Sequence, residues 1–334
     1  MKTKTYYLIG ILVFIIALIG YHFVAANQAE QQITKALQEY DEQEETISIN
    51  YSDITITPFS ADITIEDLAI IFGNHIERGK KLILDLGYWD FLNIYFGGAE
   101  YGLKQLEHAV ITVATPSYTN RTDRNEIKSD SLTIAYRGNV LDGLRNAINQ
   151  IPFQSNHSLE INSKNTTISL PNTFLIKATA KQLHYTGTIS GSKTNFWTNG
   201  THNIRLNSLV WTPPSSFQDR YSFFIKGFGY NTDAIPFEYA ELNSQPATTG
   251  DTLNISTELK SELALFSVDG SIKNEQPFTK AQLYNTRLSL SQFSEQFANM
   301  LTNIERLLNI SLPNKNGTIT INLTGTILNP QIEE

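Results

Sequence analysis

Three hydrophobic patterns follow one another along this chain. The first is a solid apolar run, in which no residue between Lys4 and Asn27 carries a formal charge. About 20 apolar residues at 1.5 Å rise span a bilayer's roughly 30 Å core, so the run predicts a transmembrane helix over 6–26. The second pattern is a stripe: Ala29, Ile33, Ala36, Leu37 and Tyr40 recur at the spacing of an amphipathic helix, predicting a stalk over 27–45 that ends in Asp41-Glu42-Gln43-Glu44-Glu45. From Thr46 onward the period drops to two, the signature of strands with one face buried.

Within this third region Ile47, Ile49 and Tyr51 alternate with polar residues, and the phase then slips to Ile54 and Ile56. A one-residue slip moves the apolar set to the other face, so a bulge or bend is expected near Asp53. Ser52–Ile56 and Ala61–Ile65 are near copies around Thr57-Pro58-Phe59-Ser60, which predicts a β-hairpin with the proline held in its turn. Further strands are read at 109–114, 131–137, 158–162, 166–170, 175–182, 184–190, 203–211, 222–229, 253–259, 263–272, 282–288 and 318–328. Two short helices broken at Gly97-Gly98, another over 140–151 before Pro152, and a longer one over 291–308 interrupt them. The expectation is an α+β fold, mostly antiparallel β: an N-terminal transmembrane helix, then an elongated, curved β-sheet domain over 46–334 with a few covering helices.

Composition changes the picture in two ways. Lys2 and Lys4 precede the apolar run, whereas Glu30, Glu39, Asp41, Glu42, Glu44 and Glu45 follow it with Lys35 alone between. The positive-inside rule then leaves 1–5 as a cytoplasmic tail and exports the remainder. Val24-Ala25-Ala26 also suits a cleavage site, so a retained signal anchor and a removed signal peptide both stand as readings. The chain has no cysteine, which excludes a disulfide framework and fits a bacterial periplasm. The location expected is therefore the bacterial inner membrane, single-pass, with a periplasmic C-terminal domain. A net charge of −8 argues against nucleic acid as a partner.

No catalytic, cofactor or metal signature emerges. The six histidines lack the spacings of zinc sites, and Gly97–Gly102 lacks the Gly-Lys-Ser/Thr ending of a phosphate loop. Ser190-Gly191-Ser192-Lys193 has Ser-x-x-Lys spacing without its companion motifs, and Glu66-Asp67 would point to opposite faces of a strand. Apolar residues at consecutive positions are more informative. Phe223, Phe224, Ile225 and Phe228, then Ile235 and Phe237, occupy both faces of their predicted strands, and Phe293, Phe297 and Leu301 stripe the last helix. These nine read either as core buried on both sides or as the lining of an apolar groove for an acyl chain.

The helix Ala29–Leu37, the hairpin Ile49–Leu68 and the glycine-spaced close Gly317–Pro330 resemble the ends of AsmA-like and YdgA-like bacterial envelope proteins, over about a quarter of the chain. That resemblance implies an inner-membrane anchor, a periplasmic β-rich domain without catalysis and, in the larger AsmA-like members, a curved sheet with an apolar groove linked to lipid traffic. The function expected is non-enzymatic support of envelope homeostasis, with lipid or another apolar ligand held in a β-groove and no cofactor. An accessory subunit of a secretion or pilus-type machine, bound to envelope protein partners, is the alternative.

Overall fold

The computed structural model describes residues 22–35, 37–39, 47–143, 153, 155–171, 176–189, 199–227, 229–273, 281–309, 311–315, 317–326 and 329–333. Helix α1 covers 22–39 apart from residue 36. Strands β1 (Ile47–Asn50), β2 (Asp53–Ile56), β3 (Ile63–Phe72) and β4 (His75–Asp85) lead to α2 (Tyr88–Gly97) and α3 (Ala99–Gln105). β5 (His108–Ala114), β6 (Ser117–Asn120), β7 (Asn125–Lys128) and β8 (Ser131–Arg137) precede α4, of which 140–143 are described. Then come β9 (His157–Leu170), β10 (Ile176–Ile189), β11 (Thr201–Trp211), α5 (Ser215–Gly227), β12 (Ile235–Ser244), β13 (Ala247–Thr249), β14 (Thr252–Ser261), β15 (Leu265–Lys273) and β16 (Leu283–Ser291). Helix α6 (Glu295–Leu308), β17 (Asn314–Lys315), β18 (Thr318–Thr326) and β19 (Asn329–Ile332) close the chain.

Among the described residues nineteen strands join one sheet, and every pairing between them is antiparallel. Partners are mostly sequence neighbours, so the sheet is a long meander running from β1 and β2 through β9–β10 to β18–β19. Little covers it. Most described strand positions are half-buried or exposed, and few are buried.

One rung of this sheet is unusual across seven neighbouring strands. Asp67 in β3, Thr115 between β5 and β6, Asn165 in β9 and Ser208 in β11 all have positive φ, at 50°, 47°, 49° and 50°. The register aligns them. Asp67 lies between the pairs Glu66–Lys81 and Leu68–Gly79, and the Thr115 amide donates to the Asp130 carbonyl. Asn165 Nδ2 reaches Asp130 Oδ2 at 2.6 Å, and Asn165 and Ser208 lie either side of Lys181 on β10. No residue is inserted or lost there, yet the pleat inverts. Ser163 and Thr166, an odd and an even position, are both buried and their hydroxyls meet at 2.8 Å. The bend predicted near Asp53 is the start of this line, where Ser52 donates to Glu66 O at 3.0 Å and to Asp67 Oδ2 at 3.1 Å.

The main core lies at one end of the sheet. Ala26 and Ala29 of α1, Ile54, Ile56, Ile63, Phe91 of α2, Leu106 and Ala109 are buried together, with Ile33 and Leu37 packed against them. Alanines let α1 approach closely, so it docks on the sheet. This bears on the membrane expectation. Among the described residues no helix is long and apolar enough to cross a membrane. Helix α1 carries Glu30, Lys35 and Glu39 and buries Ala25 and Ala26 in protein. The fold led by a transmembrane signal anchor, and the single-pass inner-membrane location, are corrected accordingly to a large, mostly antiparallel sheet; residues 6–21 lie outside the described residues.

A second correction concerns 222–229, read as a strand: Ser222–Gly227 are the end of helix α5. Phe223-Phe224-Ile225 satisfies a buried strand and a helix equally, since short apolar runs carry no period. The proposed 140–151 helix begins as expected at 140, and its remainder lies outside the described residues, as does Ser190–Lys193.

The left-handed rung predicts an inverted glycine effect. A non-glycine residue at positive φ is disfavoured by about 1–2 kcal/mol, whereas glycine in a strand interior costs about 0.5–1 kcal/mol. Thr115→Gly should therefore raise the urea midpoint of unfolding, and Thr167→Gly, at ordinary strand geometry, should lower it.

Candidate functional site

The sequence-derived candidates fall on separate elements. Ile235 is buried on β12 opposite Trp211, and Phe237 follows it half-buried opposite Leu209. Ile225 is buried on α5, whereas Phe223 is 70 % exposed; Phe224 shares that helix and Phe228 lies outside the described residues. Phe293 stacks on Phe297 at 5.7 Å where α6 begins, and Leu301 is half-buried one turn further on. The Ser294 side chain caps that helix through the Phe297 amide at 3.2 Å. A cleft of about 400 Å³ between α5 and α6 is lined by Phe223, Met300 and Ile304 with three polar residues of α6. Among the candidates whose side chains are described, Phe223 lines it and the others do not.

A larger cavity of about 590 Å³ sits on the sheet itself, astride the left-handed rung. Leu68, Ile70, Leu82, Ile111, Val113, Ile127, Leu132, Ile134, Ile161 and Leu183 supply its apolar lining. Its size falls within the roughly 300–1,000 Å³ of small-molecule sites. Register explains how scattered aliphatic residues of seven strands converge. Directly opposed residues in an antiparallel ladder share a face. Following partners from strand to strand gives Leu84, Ile111, Ile134, Ile161, Tyr185, Ile204, Leu242, Leu259, Phe266, Leu290 and Ile319, apolar throughout but for one phenol. The neighbouring rung on the other face reads Thr112, Thr133, Asn162, His184, Arg205, Glu241 and Lys260.

The apolar rung thus crosses eleven strands, about 48 Å at 4.8 Å per strand. Its members are mostly half-buried, and Leu259 and Phe266 are 42 % and 37 % exposed. A second cavity of about 280 Å³, lined by Ile255, Val268, Ile272, Leu283 and Leu323, lies further along that face beside a register shift at Gly270. The side chain of Thr286 occupies the space a Cβ at Gly270 would need, so glycine is required there.

Polar groups on the apolar face come in pairs. His75 meets Tyr118 Oη at 2.9 Å, His157 meets Tyr136 Oη at 2.5 Å, and His202 meets Tyr185 Oη at 2.9 Å. His157 also places Nε2 at 3.0 Å from both Asp142 Oδ2 and Ser155 Oγ. The resemblance to a Ser-His-Asp triad is superficial. Asp142 accepts the Nε2 proton, so the nitrogen facing Ser155 has no lone pair with which to act as base. Burial pushes the His157 imidazole below its ordinary 6.5, against the pull of Asp142, which raises it. Burial and the Asp142 charge together push the Tyr136 phenol up, and burial alone does so for Tyr185. These pairs are polar seams in an apolar surface. Among the described residues no cluster of His, Asp and Glu has the geometry to hold a metal ion.

The chain matches no protein-family model, no curated protein and no solved structure. The apolar face therefore has to be interpreted from its own chemistry.

The sequence missed this face because its residues are ordinary alternating positions on each strand, and only the register aligns them. The histidine–tyrosine pairs were equally hidden, their members lying 17 to 43 residues apart.

Because the His157 imidazole titrates lower when folded than when unfolded, the unfolded chain takes up its proton first. The stability it contributes is intact above about pH 6.5 and is lost as pH falls towards the folded value. Thermal midpoints measured from pH 8 to pH 5 should fall less steeply for His157→Gln than for the wild-type chain.

Proposed function

We propose that the chain is a non-catalytic binding protein that holds an elongated apolar ligand, of the acyl-chain type, against the apolar face of its sheet. The observation that carries this reading is the unbroken apolar rung from Leu84 to Ile319, with polar residues one position away. A soluble single-layer sheet has no folding reason to keep one face apolar over so many strands unless something covers it. The α1–α3 cap covers one end and leaves the 590 Å³ cavity open. A flexible hydrocarbon chain fits the area that the ten aliphatic side chains of that lining offer, with the polar side chains of Glu77, Arg78, Tyr118 and Lys128 lining the same cavity. The resemblance of the hairpin and closing strands to AsmA-like proteins supports the same assignment.

Adjacent residues on β9 test it. Ile161 lines the cavity and Asn162 faces the other way, so aspartate at the two positions adds the same charge to opposite faces. In a titration with a fluorescent fatty acid, Ile161→Asp should weaken binding by roughly tenfold or more, because a buried carboxylate must be desolvated. Asn162→Asp should stay within about twofold of wild type. Equal affinities for the two variants, both still folded, would remove the groove as the binding site.

A further inference from the structure

Helix α2 is apolar all round. Asp90 is its sole charged residue, and aromatic or aliphatic side chains fill most of the rest. Such helices are normally buried on every side. Here Phe91 points into the core, but Trp89 and Phe96, seven residues apart and so on one face, are 76 % and 67 % exposed. Phe59, at the tip of the β2–β3 turn, is 54 % exposed, and Phe23 at the start of α1 is 56 % exposed. Ring contacts join these elements into one surface: Phe23 meets Phe59 at 6.2 Å, His22 meets Phe59 at 5.3 Å and Tyr88 at 5.1 Å, and Tyr88 meets Trp89 at 5.7 Å.

We infer that this aromatic end of the molecule is a docking surface for the face of a zwitterionic lipid layer, with Trp89, Phe96, Phe59 and Phe23 seated at the headgroup level. Two observations select lipid over a folded partner. The side chains come from a helix start, a turn tip and one helix face, so exposed aromatic rings from three separate elements meet at one end of the molecule. In sequence, His22 and Phe23 of this surface directly follow seventeen residues, 5–21, without a formal charge, the most apolar stretch of the chain. Aromatic rings with an apolar body favour the boundary between headgroups and acyl chains. The charged residues nearest in sequence to Phe23, Phe59, Trp89 and Phe96 are Glu30, Asp62, Asp90 and Glu100, all acidic, which disfavours anionic headgroups. Surface docking of this kind involves no helix crossing the layer, and it is independent of whether the sheet holds a ligand.

The chain's lack of cysteine makes the test direct. Phe96→Cys, labelled with a polarity-sensitive dye, is mixed as full-length protein with phosphatidylcholine vesicles. A label at Lys260→Cys, on the polar face, serves as control. A second preparation, Trp197→Phe with Trp211→Phe, leaves Trp89 as the sole tryptophan for quenching by lipids brominated on their acyl chains. The expected result is a severalfold emission increase at position 96, none at 260, and strong quenching of Trp89. Vesicle-bound protein with both Trp89 and position 96 still in water would overturn the inference, as would burial of position 96 by self-association without vesicles. Acyl-probe binding to the groove is read separately in the same samples, so either idea can fail alone.

Discussion

The inverted pleat at Asp67, Thr115, Asn165 and Ser208 is the constraint on which the rest of this structure depends. On β9 the apolar-face positions are odd before Asn165 and even after it; on β10 they change parity around Lys181, and on β12 around Glu238. A regular pleat would send half of these side chains to the face that carries Asn162, His184, Arg205 and Glu241. Four residues in a disfavoured conformation therefore keep one face apolar along the full length of long strands. Short polar side chains suit the positions, because Asn and Asp tolerate the left-handed region better than most. The cross-strand contact of Asn165 with Asp130 and of Ser52 with Asp67 ties neighbouring strands to the same rung.

This also explains where the sequence was legible and where it was not. Strand content, the β2–β3 hairpin, the helical break at Gly98 and helix α6 were readable because each is a local pattern with its own turn or cap. β9 and β10 were read as two strands apiece, broken near residues 163–165 and at 183. The breaks were phase slips, and a slip on one strand looks like its end. Only the neighbours show that the ladder continues through it. β4 went unread for a related reason, since Arg78 stands where simple alternation from Leu84 and Leu82 would put an apolar residue, and β6 and β7, of 4 residues each, are too short to set a period. The apolar face could not be read at all, since its alignment is a property of register between strands and not of any one of them.

Helices play a different part from the covering layer foreseen. α1, α2 and α3 gather at one end and build the one compact core, with Phe91 and Leu106 inside it. α5 and α6 occupy connections at the opposite strand ends, between β11 and β12 and between β16 and β18. The face between them remains open, and the histidine–tyrosine pairs join neighbouring strands across it.

The meander has a consequence for how such a molecule changes over time. Each strand after β9 is held chiefly by the strands before and after it in the chain, so the sheet behaves as a ribbon whose length is counted in strands. Duplication or loss of a hairpin such as β14–β15 alters the ribbon by about 10 Å and leaves the capped end untouched. Reach is thus a quantity that selection can adjust in discrete steps, separately from the fold's stability and from the chemistry of its surface.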